Sequence, residues 1–194
     1  MACCFCVQRG ERNKKHIQSN NVLFTDHYRY LLSFVKCITR WASVDRQYFI
    51  AILTVMNRTL LLIKPDSVKK NLIGKILEHI IDKGFKVIGM KLIWLTKDEA
   101  GEFYAIHTGK DFYDWLVDFL SSGPIVAVCL EHPEGPAKLR EVVGVTNPEK
   151  AAPGTVRNLY GTSMGENAVH ASAPDEDPER EIKFFFKDEE LYTY

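Results

Sequence analysis

Asn167-Ala168-Val169-His170-Ala171-Ser172 is a short run of small and apolar residues around one histidine. It predicts a strand, in which alternate side chains share a face, so Ala168, His170 and Ser172 form one row. The small neighbours are expected to leave space above the imidazole for a bulky group such as a phosphoryl. A lone histidine is more often structural than nucleophilic, because imidazole is only a convenient titrating group near neutral pH. The rest of the chain decides between the two.

Outward from this strand, Pro178-Glu179-Arg180-Glu181-Ile182 opens a last helix, and Phe184-Phe185-Phe186 follows. On the other side, residues 144–166 are rich in Gly, Pro, Asn and Thr and lack periodicity, which predicts a loop of over twenty residues. A loop of that length in a compact domain is usually functional. Further back, Thr59-Leu60-Leu61-Leu62-Ile63 reads as a central strand stopped by Lys64-Pro65-Asp66, with Asp66 or Ser67 able to cap a helix. Val68, Leu72, Ile73, Ile76, Ile80 and Ile81 then recur at helical spacing, predicting one amphipathic helix over 67–83 that ends at Gly84. Residues 85–95 read as a strand. Residues 97–107 read as a helix with a Thr96–Glu99 capping box, 112–120 as a second helix, 125–130 as an apolar strand and 138–143 as a short helix. The order predicts an α+β, ferredoxin-like sandwich: a four-stranded antiparallel sheet covered by helices on one face, with a long loop before the histidine strand.

Formal charge sums to zero over 194 residues but is unevenly spread: residues 1–56 carry +5 and the remainder −5. The mildly acidic remainder argues against nucleic acid as a partner, so an anionic ligand must be held by a few placed cations. Four of the five cysteines lie in the first 37 residues, and the odd count gives no disulfide framework and no zinc spacing. Cys129 reads as a small core residue and the chain as one from a reducing compartment. Residues 1–56 read as an extension outside the domain that begins at 57. They are upstream sequence with translation starting at Met56, an acid-poor targeting segment, or a true extension with Cys3, Cys4 and Cys6 as acylation sites. The apolar run at 48–56 is too short to span a bilayer. A cytoplasmic location is expected, or an organelle if residues 1–56 are a transit peptide.

Gly-rich phosphate loops are absent: Gly74-Lys75 is followed by Ile76 inside a helix, and neither G-x-G-x-x-G nor the protein-kinase motif set occurs. Side chains must therefore do the phosphate work. Lys64 closes a buried strand, where a charge needs a partner or an open edge. Arg140 precedes the long loop, Thr146 begins it and Arg157 lies within it; taken singly, both arginines read as surface charges.

The hexapeptide resembles the active-site signature of nucleoside diphosphate kinases. Further matches fall in the family's order: Thr59 to Asp66, Ser122-Gly123-Pro124, Thr146-Asn147-Pro148, Pro153-Gly154-Thr155-Val156-Arg157, and Glu181 after the histidine. The resemblance runs from about 57 to 194. It implies a ping-pong transfer in which His170 takes the γ-phosphoryl of one nucleoside triphosphate and passes it to another nucleoside diphosphate. It implies that Glu181 orients the imidazole and Ser172 supports Glu181. Lys64, Tyr104, Arg140, Thr146 and Arg157 would contact the phosphates together with Mg²⁺. Asn167 would contact the sugar, and Phe112 would stack on the base with Leu116 and Met164 near it, although on spacing alone Phe112 and Leu116 read as core. The family also implies a homo-oligomer, a tetramer or hexamer built from dimers.

Two departures stand out. Ala171 and Ala173 replace the family's usual glycine and aspartate; Ala171 would resist a positive φ, and Pro174 with Asp175-Glu176-Asp177 stands where compensation would come from. Activity is nevertheless expected. The competing readings are a non-catalytic binding module on the same fold and a phosphorelay carrier. The first conflicts with the acidic charge, and the second leaves the Lys, Arg and Thr set without a purpose.

Overall fold

The computed structural model describes residues 57–175 and 177–194; expectations for 1–56, and for Glu176, lie outside the described residues. Four strands, β1 (Arg58–Ile63), β2 (Lys86–Ile93), β3 (Ile125–Glu131) and β4 (Val169–Ala171), form one antiparallel sheet in the order β2-β3-β1-β4. The helices are α1 (Pro65–Lys69), α2 (Ile73–Ile81), α3 (Lys97–Phe103), α4 (Tyr113–Leu120), α5 (Gly135–Val143), α6 (Val156–Tyr160) and α7 (Pro178–Phe185). Among the described residues, no helix is long and apolar enough to cross a membrane.

The expected four-stranded α+β sheet is present, but helices cover both of its faces. Leu60 and Leu62 of β1 belong to one apolar cluster, with α3, α4 and α7. Leu61 and Ile63 belong to another, with α2, α5 and α6. A strand with a half-wet face would alternate apolar and polar; the unbroken apolar run of β1 is what two-sided burial demands.

Four further expectations are corrected. The helix over 67–83 is two helices, broken where Asn71 takes φ 58°. Helix α1 begins at Pro65 with Lys64 at the cap position, and neither Asp66 nor Ser67 caps it. The loop at 144–166 contains α6 and a 3₁₀ turn at Pro148–Lys150. Ala168 does not share a row with His170. Its φ of 70° turns the chain just before β4, so that Ala168 packs with Leu61 and Ile63 on the opposite side. The predicted Thr96–Glu99 capping box is present.

Candidate active site

β4 pairs with β1 so that His170 lies opposite Leu62, and three cationic residues tie into the backbone on both sides of it. Lys64 donates its backbone N–H to the Ala168 carbonyl (3.0 Å). Arg157, from α6, donates Nη2–H to the Val169 carbonyl (3.1 Å) and Nη1–H to the Gly144 carbonyl (2.9 Å). Arg140, from α5, reaches the Ala171 carbonyl at 3.5 Å. The surface reading of Arg157 is therefore wrong: its side chain is buried, at 3 % exposure.

On its own face of the sheet, the His170 ring stands among aromatic rings and not above small ones. Phe103 lies edge-on at 5.3 Å and Tyr104 at 6.0 Å between centroids. Nε2 lies 3.1 and 3.2 Å from the two carboxylate oxygens of Glu181, which is itself buried on α7. Ser172 Oγ donates a short hydrogen bond to Glu181 Oε2 and accepts from the Leu60 N–H at 3.2 Å. The strand thus does project His170 and Ser172 to one side. Burial would raise the Glu181 carboxyl, but the hydrogen bonds from His170 and Ser172 outweigh it and hold the group below its ordinary value. With Glu181 ionised, Nε2–H donates to the carboxylate, and in that tautomer the ring's lone pair is on Nδ1.

The cations crowd one another. Burial and the nearby Arg157 push the Lys64 ammonium down to about 8, against a pull upward from Asp66. Burial and Arg140 push Arg157 down to about 10, opposed by Tyr104. Burial raises the Asp66 carboxyl, against the pull of Lys64 and of the Ala168 N–H that its Oδ2 accepts at 3.2 Å. Asp66 Oδ1 and Arg157 Nε are buried without a partner. Buried polar atoms in this state mark an unmet demand for a polar ligand or water.

Lys64 Nζ donates to Asn167 Oδ1 at 2.7 Å, and Asn167 Nδ2 donates to the carbonyls of Met164 (2.9 Å) and Thr146 (3.1 Å). One amide thereby gathers Lys64, Thr146 and Met164. Phe112 is not core: it is 49 % exposed just before α4, while Leu116 is half-buried against the aromatic cluster and Met164 is exposed. A file of rings leads inward from Phe112 through His107 and Tyr104 to His170, at centroid steps of 5.6, 5.7 and 6.0 Å. Ala171 has no positive φ and is paired with Leu61, so the alanine costs nothing in backbone strain. Asp177, from the acidic run, caps α7 by accepting from the Arg180 N–H at 3.1 Å. Sequence reasoning did not single out Phe103 or Trp115, and it gave Asp66 only a capping role. Their signals (an aromatic in an amphipathic helix, an acid after a proline) are too common to stand out.

Residues 57–191 match the family model described as nucleoside diphosphate kinase. A nucleoside diphosphate kinase of Persephonella marina is 51 % identical over 131 residues, covering 68 % of this chain and 94 % of that protein. One from Chlorobium chlorochromatii is 51 % identical over 136 residues, covering 70 % and 97 %. Among solved structures, the Aquifex aeolicus nucleoside diphosphate kinase superposes with a TM-score of 0.68 at 41 % identity, covering 70 % of this chain and 99 % of that one. The Halobacterium salinarum enzyme in complex with CDP gives 0.69 at 40 %, covering 71 % and 91 %. An arrangement in which buried cations flank a carboxylate-held imidazole, on a sheet shared with these relatives, leaves one assignment: this chain belongs to the nucleoside diphosphate kinase family, enzymes that move a phosphoryl group between nucleotides through a phosphohistidine.

Proposed function

We propose that His170 is the residue phosphorylated in this transfer and that residues 57–194 form the catalytic domain, with 1–56 outside it. Nδ1 attacks the γ-phosphorus of a nucleoside triphosphate. The bond to the β,γ-bridging oxygen breaks, and the diphosphate leaves with its electron pair. The Nε2 proton stays between His170 and Glu181, so the positive charge on the phosphorylated ring faces a carboxylate. A terminal β-phosphate oxygen of a second diphosphate then attacks the same phosphorus, the N–P bond breaks, and the imidazole is regenerated.

Lys64, Arg140 and Arg157 neutralise charge on the phosphate oxygens, with Tyr104 and Thr146 as further contacts. Asn167, buried and bonded to Lys64, Met164 and Thr146, is assigned to the sugar side, and the base rests between Phe112, Leu116 and Met164; stacking is sequence-tolerant, which suits broad base acceptance. The carrying observation is the convergence on His170 of two arginines, Arg140 and Arg157, that bond the carbonyls on either side of it, with Lys64 near enough to Arg157 for its ammonium to be pushed down to about 8. Such a site is completed by an anion.

Mg²⁺ fits as part of the substrate. Among the described residues no group of three or more His, Cys, Asp and Glu side chains could hold a metal. The ion would arrive on the nucleotide phosphates, where it supplies Lewis-acid charge neutralisation. A homo-oligomer built from dimers and a cytoplasmic location complete the reading.

Labelled ATP with Mg²⁺, followed by a different nucleoside diphosphate, tests it. The expected result is an acid-labile phosphoprotein whose label moves to the added diphosphate and which is lost in His170→Ala. Label that persists in His170→Ala refutes the assignment; label that never transfers indicates a carrier.

A further inference from the structure

The face of α4 beside the base slot carries a residue that the reading above leaves without a task. Trp115 is half exposed and stacks on Phe119, with centroids 4.9 Å apart and planes at 12°. Phe119 in turn lies under Lys64 Nζ, 5.9 Å from the ring centroid. The outer edge of the indole presses on Gly165. A Cβ placed there would collide with Cη2 of Trp115 and stand 2.7 and 2.9 Å from Cζ2 and Cζ3. Gly165 has no positive φ, so the left-handed conformation that favours glycine is not what places one here. The three atoms nearest to a side chain at 165 all belong to Trp115.

Both ends of this contact adjoin the base slot. Phe112 precedes Trp115 by one helical turn on the same side of α4. Met164 immediately precedes Gly165. The segment bearing Met164 is internally braced: Thr162 N–H donates to the Glu166 carbonyl (2.8 Å), Glu166 N–H to Ser163 Oγ (3.1 Å), and Asn167 holds the Met164 carbonyl. A braced segment and a helix joined at one tight contact keep a fixed spacing.

We propose that Trp115 is a positioning residue that sets the separation of Phe112 and Met164, by filling the space a side chain at 165 would occupy and fastening α4 to the 162–166 segment. This rests on the reading of Phe112 and Met164 as the walls of the base slot. It adds that the slot's width is set by an indole outside it. The indole does not touch the reacting atoms; it acts through the residues on either side of the base.

The test uses the full-length chain and ADP. Its Kd is measured by titration calorimetry, beside kcat and Tm, for Trp115→Ala, Trp115→Phe, Gly165→Ala, the Trp115→Ala/Gly165→Ala double variant and Phe112→Ala. Trp115→Ala is expected to raise Kd about tenfold, the order of one stacking contact, with kcat at saturation within about twofold. Gly165→Ala, which drives the indole off its seat, should raise Kd by a similar factor. In the double variant the added methyl meets empty space, so Kd should lie within about twofold of Trp115→Ala alone, where independent effects would multiply. Trp115→Phe should fall between wild type and Trp115→Ala. An unchanged Kd in Trp115→Ala, multiplicative single effects in the double variant, or losses of affinity that simply track Tm each overturn the inference. If Phe112→Ala weakens ADP binding while Trp115→Ala does not, the base slot stands and the inference alone fails. If Phe112→Ala has no effect, the slot reading fails and takes the inference with it.

Discussion

The two faces of the sheet are built from different materials. The face with Leu61 and Ile63 is largely aliphatic, with Ile76, Ile80, Leu139, Val142, Val143, Val156 and Val169, and two aromatics, Phe85 within it and Tyr160 against it. The face with Leu60 and Leu62 is rich in rings: Phe103, Tyr104, Phe185 and Phe186, with Tyr113 and Phe184 against them. His170 projects to the ring-rich side, edge-on to Phe103 and Tyr104. Aliphatic side chains interdigitate well and hold a scaffold. Flat, rigid rings fix an imidazole's angle by edge-to-face contact while leaving one of its edges open. The same sheet thus carries a stabilising side and an orienting side.

The sharpest break between them is chemical. Glu181→Gln should lower the rate of phosphoenzyme formation on the order of 10²-fold or more, because an amide no longer fixes the Nε2 proton or balances the phosphorylated ring. Single-turnover labelling measures it, and Tm should move little. A rate within about threefold of wild type would remove Glu181 from the orienting side.

Next come paired core substitutions. Leu61→Ala on the aliphatic face should cost roughly 3 kcal/mol by denaturant unfolding while the rate per folded molecule stays unchanged. Phe103→Leu on the other face should cost less stability but slow phosphoenzyme formation several-fold, as the ring that stands edge-on to His170 is lost. Equal loss of rate in both would mean that the faces do not divide the work.

The helix–strand order was legible because the apolar runs of β1 and β3 and the amphipathic stretches are strong signals at their own periods. Two-sided burial was legible in principle from the unbroken run at 59–63, but assigning the sheet to a half-covered class overrode it. The break at Asn71 was invisible, because Val68 and Leu72 keep helical spacing across a residue that has left the helix. Arg157 was misjudged because a single charge gives no sign of what folds over it; only the carbonyls of Gly144 and Val169 account for its burial. Ala168 was misplaced because alternation assumes extended backbone, and its φ of 70° ends that alternation one residue before β4. The chemistry of His170, Ser172 and Glu181 was legible only as a pattern of motifs. Their hydrogen bonds depend on α7 docking beside β4.

A smaller effect separates stability from affinity at Lys64. Its ammonium is pushed down to about 8 from 10.5, chiefly by burial and then by Arg157. Between those values the unfolded chain binds more protons than the folded one, so this group makes the fold more stable as pH rises from about 8 toward 10.5. Over the same interval the deprotonated amine loses its attraction for phosphate. The Kd for ADP should therefore rise about three- to tenfold between pH 7 and 9, while Tm, so far as Lys64 controls it, does not fall. Lys64→Arg keeps its charge and should flatten the Kd profile; an unaltered slope in that variant would place the titration elsewhere.

The smallest expected effect sits at the seam of the two faces. Ala171 departs from the family's glycine, yet its methyl packs into the aliphatic cluster and its backbone is ordinary strand paired with Leu61. Ala171→Gly removes one buried methyl and adds backbone freedom to the unfolded chain, together about 1 kcal/mol of destabilisation. Nothing on the ring-rich face changes, since the side chain points away from His170, so the rate of phosphoenzyme formation should stay within about twofold. A clear gain in rate would show that the methyl does reach the site through β4, and that the strand transmits packing from the scaffold side to the histidine instead of insulating one face from the other.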